Sequence, residues 1–368
     1  MPRILASLLL LFALLPFGRA QEGADPQAEY QTVFQQGIDA LNGKRMDDGI
    51  KAFTRCLELQ PETGVCAYNL ACAYSLKNEL EPAFEWLGKS VEWGYGNSNE
   101  NIEHAATKDT DLANLRNDER FAKLITRMKE RLAAMQEAIA AYTKTAAVYT
   151  PAALADAKEV GVLVVLHDAG STKDAILTSP WKQLADELGL VLVAPSGMVL
   201  AAKTPADGMA WFSDFEAFQK RYWDAEKTIQ PALDELAKTK TLDPKRTLIA
   251  GEGQGGWIAF NAAVRAPRRF AGVLAMDCPV MPQLVSTYLA NAATLKVRLV
   301  ANEKQMFGVP PESIGVFLSQ MQTGLRQAKL DATVERYTLD EKKPGLRQEL
   351  IAKTARAMLG MGEGAGGK

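Results

Sequence analysis

Two uninterrupted apolar runs, Gly161-Val162-Leu163-Val164-Val165-Leu166 and Leu190-Val191-Leu192-Val193-Ala194, constrain this chain more than any other feature. A strand with one wet face alternates apolar and polar residues. A continuous run needs cover on both faces, as in a parallel sheet between helical layers. Further strands are expected at Arg246–Ala250, Gly272–Met276, Lys296–Ala301 and Thr333–Leu339. Helical patterns separate them at Pro180–Leu188, Trp223–Lys238, Gln254–Val264, Pro311–Lys329 and Gly345–Leu359. This alternation predicts a doubly wound α/β domain over residues 145–359, followed by a disordered glycine-rich tail, 360–368.

The amino-terminal half is patterned differently. Residues 30–97 repeat themselves at a 34-residue spacing: Gly37, Gly49, Phe53, Cys56 and Pro61 are answered by Ala71, Ala83, Leu87, Ser90 and Tyr95. This resembles the tetratricopeptide repeat, in which small residues let antiparallel helices pack closely and aromatic residues fill the gaps. Tyr95 departs from the pattern, which has proline there. Two copies bury too little for a stable array, and Asp109–Met135, with Leu112, Leu115, Phe121 and Leu124, is expected to cap them. The helical region is therefore placed at 28–135. The resemblance implies a peptide or protein partner; a spacer or docking cap fits as well.

Residues 1–20 have the form of a cleaved secretory leader: Arg3, an apolar stretch Ile4–Phe17, and small residues ending at Ala20. A secreted or periplasmic protein with no later membrane span is expected. The net charge of −2 supplies no field for a phosphate backbone, which argues against nucleic acid. The four cysteines, Cys56, Cys66, Cys72 and Cys278, lie in apolar surroundings and are expected as buried thiols. No metal-ligand spacing exists and no cofactor is implied.

The order of landmarks in the α/β half carries more information than any one of them. His167-Asp168-Ala169-Gly170 follows the first long strand, Pro195-Ser196-Gly197 ends the next, and Trp211-Phe212 stands beyond. Gly251-Glu252-Gly253-Gln254-Gly255-Gly256 then joins a strand to a helix. The arrangement resembles the phospholipase/carboxylesterase branch of the α/β-hydrolases, with an oxyanion turn, a Trp-Phe pair and a G-x-S-x-G-G nucleophile elbow.

Departures from that pattern bear on chemistry. The elbow's serine position is Gly253, so Gly251, Glu252, Gly253, Gln254 and Gly255 form a degenerate elbow with no nucleophile. The acid position after the strand near Val300 is degenerate too, with Gln305 where an aspartate is expected and Glu303 nearby. No histidine stands near Tyr337–Pro344, and the chain has only His104 and His167. Asp168 replaces a glycine in the oxyanion turn, where a carboxylate would repel a developing oxyanion.

These departures lead to the expectation of an α + α/β protein, a short helical repeat followed by a hydrolase-like sheet, that binds rather than catalyses. His167, Asp168, Gly170, Trp211, Phe212, Gly253 and Gln254 are its expected residual pocket for a small molecule. Two alternatives stand beside it. Asp168, Asp207, Asp214, Glu252 and Asp277 offer carboxylates for altered acid–base chemistry in a hydrolase-like enzyme. Gly251, Gly253 and Gly256, with Asp277 about 20 residues on, also spell a dinucleotide-binding fingerprint.

Overall fold

The structure is a computed structural model that describes residues 26–213, 217, 226–280, 286–306, 308–338 and 345–362. The expected leader, Trp223, Asp214 and residues 363–368 of the expected tail lie outside them. The chain divides into two compact units at Glu137 and Ala138. No described helix is long and apolar enough to cross a membrane.

The first unit is helical: α1 (Pro26–Asn42), α2 (Met46–Leu59), α3 (Gly64–Leu76), α4 (Leu80–Glu92), the short α5 (Asn99–Glu103) and the long α6 (Glu119–Thr143), in which the division falls. Small residues permit the close approach of α1 and α2. A β-carbon on Gly37 would stand 2.7 Å from the Phe53 ring, which is fully buried. Tyr95 stacks on Tyr68 at 3.8 Å between ring centroids. Leu112, Leu115, Phe121, Ile125, Met128 and Leu132 close the same apolar cluster from the carboxyl side. Each large apolar side chain buried this way contributes roughly 1.5–3 kcal/mol.

Among its described residues the second unit has ten strands: β1 (Ala147–Tyr149), β2 (Glu159–Leu166), β3 (Leu190–Ala194), β4 (Val199–Leu200), β5 (Met209–Ala210), β6 (Thr241–Leu242), β7 (Leu248–Glu252), β8 (Gly272–Met276), β9 (Lys296–Asn302) and β10 (Asp331–Tyr337). Its helices are α7 (Lys173–Ile176), α8 (Pro180–Leu188), α9 (Glu226–Ala237), α10 (Gln254–Arg265), α11 (Ser286–Leu289), α12 (Ile314–Gln327) and α13 (Leu346–Met358). The main sheet runs β1-β3-β2-β7-β8-β9-β10, with β6 beside the start of β2 and β4–β5 as a separate hairpin. Among the described strands of this sheet only β1 is antiparallel.

Both sheet faces are covered, as the continuous apolar runs require. Alternate residues of β2 go to opposite layers. Val160, Val162, Val164 and Leu166 pack in one core with α9, α10 and α12, while Leu163 and Val165 join the other with α8 and α13. Local signals set the helix ends. In α8, Ser179 accepts from the Trp181 amide, Pro180 occupies the first turn, and Gly189 leaves the helix at φ +59°.

The parallel part of the sheet begins at β2; the chain then adds β3 on one side and crosses to add β7 on the other. That reversal is the topological switch point, where the loops leaving adjacent strands part and a site can form. The loop after β2 begins at His167, and the loop after β7 holds Gly253.

Candidate active site

Leu166 and Gly251 are paired across β2 and β7, so the loops that leave these strands emerge side by side. β7 passes into α10 through Gly253 at φ +52°, ψ −118°, a conformation that strains any residue with a side chain by about 1–3 kcal/mol. The helix then lies against the strand ends so closely that a β-carbon on Gly255 would be 2.2 Å from the Leu166 carbonyl oxygen. This sharp, tightly packed strand-to-helix turn is a nucleophile elbow in backbone geometry.

Where the side chain of residue 253 would stand, the Asp168 carboxyl group stands instead. A β-carbon built on Gly253 would be 2.0 Å from Asp168 Oδ1. Oδ1 accepts from the Gln254 amide at 2.9 Å and the Ala169 amide at 2.7 Å. These are the two donors, one after the elbow and one in the neighbouring turn, that acyl-transfer chemistry directs at a developing oxyanion. Oδ2 has no hydrogen-bond partner among the described residues. Burial pushes the Asp168 pKa up to about 6; the two amides oppose the rise, and the Glu252 and Asp277 charges add to it. The sequence suggests a carboxylate repelling an oxyanion from nearby. In the structure the carboxylate itself takes the oxyanion's place.

His167 points away from this spot. Its Nε2 accepts from the Gly197 amide at 2.9 Å, so Nδ1 carries the proton and donates to the Asp168 carbonyl oxygen at 2.7 Å. The ring is 1% exposed, and burial lowers its pKa to about 4, leaving it neutral at pH 7. Trp211 Nε1 donates to the His167 carbonyl oxygen at 2.8 Å. Gln254 Oε1 accepts from the Trp211 amide, and its Nε2 donates to the Phe212 carbonyl oxygen. Of the expected pocket-lining set, His167, Trp211, Phe212 and Gln254 are therefore buried supports beneath the site. With both ring nitrogens engaged, His167 cannot serve as base or ligand contact. Gly170 is exposed, at φ +79°, its amide donating to the Met209 carbonyl oxygen.

A second polar cluster ties the ends of the remaining strands. Asp277 leaves β8 at φ +49°. Its Oδ1 accepts from the Asn302 amide at 2.8 Å, and its Oδ2 accepts from the Tyr337 hydroxyl at 2.7 Å and from Arg347 Nε at 3.3 Å. Arg347, in the first turn of α13, also pairs with Glu252 at 2.5 Å. Burial raises the Asp277 pKa, and Tyr337, Arg347 and the Asn302 amide pull it back. Tyr337 and Arg347 escape sequence reasoning, since their partners are remote in sequence. The only signal is that Tyr337 ends the last strand, where a histidine is expected.

The remaining expected carboxylates scatter. Asp207 accepts from Thr204 in an exposed turn, and Asp214 is not described. Gln305 is exposed after β9, and Glu303 pairs loosely with Arg336 at 3.9 Å. His104 lies in the helical unit, 3.5 Å from Asp109. No group of potential metal ligands occurs among the described residues. The same contacts oppose the dinucleotide alternative. The leading amide of α10 is engaged by Asp168, and Asp277 is engaged by Asn302, Tyr337 and Arg347, so neither is open to a pyrophosphate or a ribose; the close packing of Gly256 on β7 and β8 fits either reading.

The sequence model of the phospholipase/carboxylesterase family matches residues 150–340, more than half of the 368-residue chain. The chain belongs to this family. Solved structures similar to it include an esterase, PE8, at 17% identity and TM-score 0.45, covering 58% of this chain and 98% of its own. A phospholipase/carboxylesterase from Dyadobacter fermentans DSM 18053 is 14% identical at TM-score 0.40, with coverages of 58% and 97%. An uncharacterized protein from Bacillus cereus ATCC 10987 is 16% identical at TM-score 0.42 and covers 89% of this chain and 98% of its own. No curated protein sequence matches. Membership in a hydrolase family overturns the expectation that the chain is primarily a binding or scaffold protein.

Proposed function

We propose that the α/β unit hydrolyses carboxylic esters by carboxylate chemistry, with Asp168 as general base in place of the family's serine and histidine. The observation that carries this is the Asp168 carboxyl group in the elbow, beside Gly253, with one oxygen anchored by two amides and the other without a partner among the described residues. A pKa of about 6 leaves it ionised at neutral pH and well matched to proton transfer. In this scheme Oδ2 takes a proton from water as the hydroxide oxygen adds to the acyl carbon. The tetrahedral species then expels the alkoxide, which recovers the proton from Asp168, giving acid and alcohol.

Such catalysis should be slow. General-base catalysis contributes about 10²–10⁴-fold. Each amide donor kept from the oxyanion costs on the order of 10²–10³ in kcat. The helical unit, on this reading, is a pair of tetratricopeptide-like repeats with a capping helix, carried by a protein exported on a cleaved leader.

The test compares hydrolysis of 4-nitrophenyl acetate by wild type and Asp168→Asn. Wild type should turn over faster, with an acidic limb in kcat/KM centred about pH 6. Equal rates for the two proteins at every pH would refute the proposal.

A further inference from the structure

The helical unit holds a chemical pair that ester hydrolysis does not use. α2 and α3 are joined by the turn at residues 60–63. Cys56 and Cys66 stand at equal distances on either side of Pro61. In an antiparallel helical hairpin, positions so related face each other across the seam. Both side chains are 0% exposed and belong to one apolar cluster. The Tyr30 hydroxyl lies 3.3 Å from Cys66 Sγ.

The other two cysteines are placed differently. Cys72 Sγ contacts Asp109 Oδ2 at 3.7 Å, and Cys278 packs beside Gly256 in the α/β unit. All four are free thiols in the structure.

We propose that Cys56 and Cys66 are a latent disulfide that staples α2 to α3 when the chain meets a small-molecule disulfide such as oxidised glutathione. The roles of the two sulfurs follow from their surroundings. The neighbouring Cys56 thiol and the Tyr30 hydroxyl hold the Cys66 thiol below its ordinary value, while the Cys66 side chain and burial push Cys56 up. Cys66 Sγ attacks one sulfur of the oxidant, whose S–S bond breaks and releases one glutathione thiolate. Cys56 then loses its proton to that thiolate and attacks Cys66 Sγ in the mixed disulfide, releasing the second glutathione. Two protein thiols are oxidised, and one oxidant disulfide is reduced to two thiols.

Burial sets the kinetics. The oxidant reaches neither sulfur until the helices open locally, so closure should be slow in the native chain and faster in mild denaturant. Once formed, the bridge restricts the unfolded chain and should raise the thermal midpoint of the helical unit.

The experiment incubates the full chain with oxidised and reduced glutathione, quenches in acid and alkylates in denaturant. Digestion after glutamate and aromatic residues follows, because cleavage at Glu58 and Tyr68 puts Cys56, Cys66 and Cys72 on separate peptides. The expected result is an intact mass lower by about 2 Da before alkylation, a Cys56–Cys66 linked peptide, and alkylated Cys72 and Cys278. Alkylation of all four thiols, a stable glutathione adduct on either partner, or a bridge to Cys72 or Cys278 would overturn the proposal. Cys56→Ala should convert the bridge into a glutathione adduct on Cys66. Should that variant fail to fold, the wild-type peptide map decides alone.

Discussion

Replacing Asp168 by asparagine should make the protein more stable at neutral pH and change how its stability follows pH. The Asp168 carboxyl titrates at about 6 in the folded chain, against an ordinary value near 4. Between those two values the native state holds a proton that the unfolded chain has released. The stability Asp168 contributes is therefore full below about pH 4 and is lost as pH rises through about 6. At ~1.4 kcal/mol per pH unit of displacement, the loss is roughly 3 kcal/mol.

His167 runs the other way. Its pKa is depressed to about 4, so its contribution is present above an ordinary value near 6.5 and is lost as pH falls through 4, again by roughly 3 kcal/mol. In wild type the two slopes largely cancel between about pH 4 and 6. Asparagine keeps an acceptor oxygen for the Gln254 and Ala169 amides but cannot ionise, so it exposes the His167 slope. Urea denaturation of both proteins from pH 4 to 7 measures this directly. The stability of wild type minus that of the variant should fall by about 3 kcal/mol over this range, and the shared effect of Asp277 cancels in the difference. A difference that stays constant within about 0.5 kcal/mol would mean that Asp168 is not a desolvated carboxyl group, and the catalytic argument built on it would go too.

Two further substitutions test the site's packing. Gly253→Ser should destabilise strongly, by about 1–3 kcal/mol from backbone strain and more from collision with Asp168. Adding Asp168→Ala should recover part of that loss, with a coupling of at least ~1 kcal/mol by denaturant unfolding; additive effects would show that the two positions do not share one space. Arg347→Met, which strips the buried Asp277 of its cation, should cost about 3–5 kcal/mol. Tyr337→Phe should cost only ~1–2 kcal/mol, and a reversed order would contradict the assigned network.

The sequence discloses the sheet because each buried strand must be apolar on both faces. Leu190–Ala194 and Gly272–Met276 are found as expected, and so is α8 with its Ser-Pro start and glycine stop. What it hides is short or at an edge. Ala147–Tyr149 is three residues long and carries no period, and β4 and β5 have two residues each. The last strand begins at Asp331 rather than Thr333, because an edge strand carries charge on its wet side and so lacks a continuous apolar signature. The elbow is legible for the opposite reason: strand and helix approach so closely there that a β-carbon at Gly251 or Gly255 would collide with backbone, and the spacing of glycines betrays it. The direction of a loop side chain has no such marker. That Asp168 turns toward Gly253, and that Arg347 reaches both Glu252 and Asp277, is decided by strand neighbours far apart in the chain.

That hidden contact changes how the departures at 253 and 168 should be understood. Taken along the sequence they are two separate losses, a nucleophile removed and an oxyanion turn spoiled. In space they are one exchange. With a β-carbon on residue 253 only 2.0 Å from Asp168 Oδ1, the elbow has room for a serine or for the aspartate, but not for both. Glycine at 253 is then a steric condition for the carboxylate beside it, and the two amides that would have met an oxyanion bind the protein's own carboxyl oxygen. Whether that anion works on a substrate depends on its second oxygen. It is the only part of the carboxyl group that the surrounding backbone has not already claimed among the described residues.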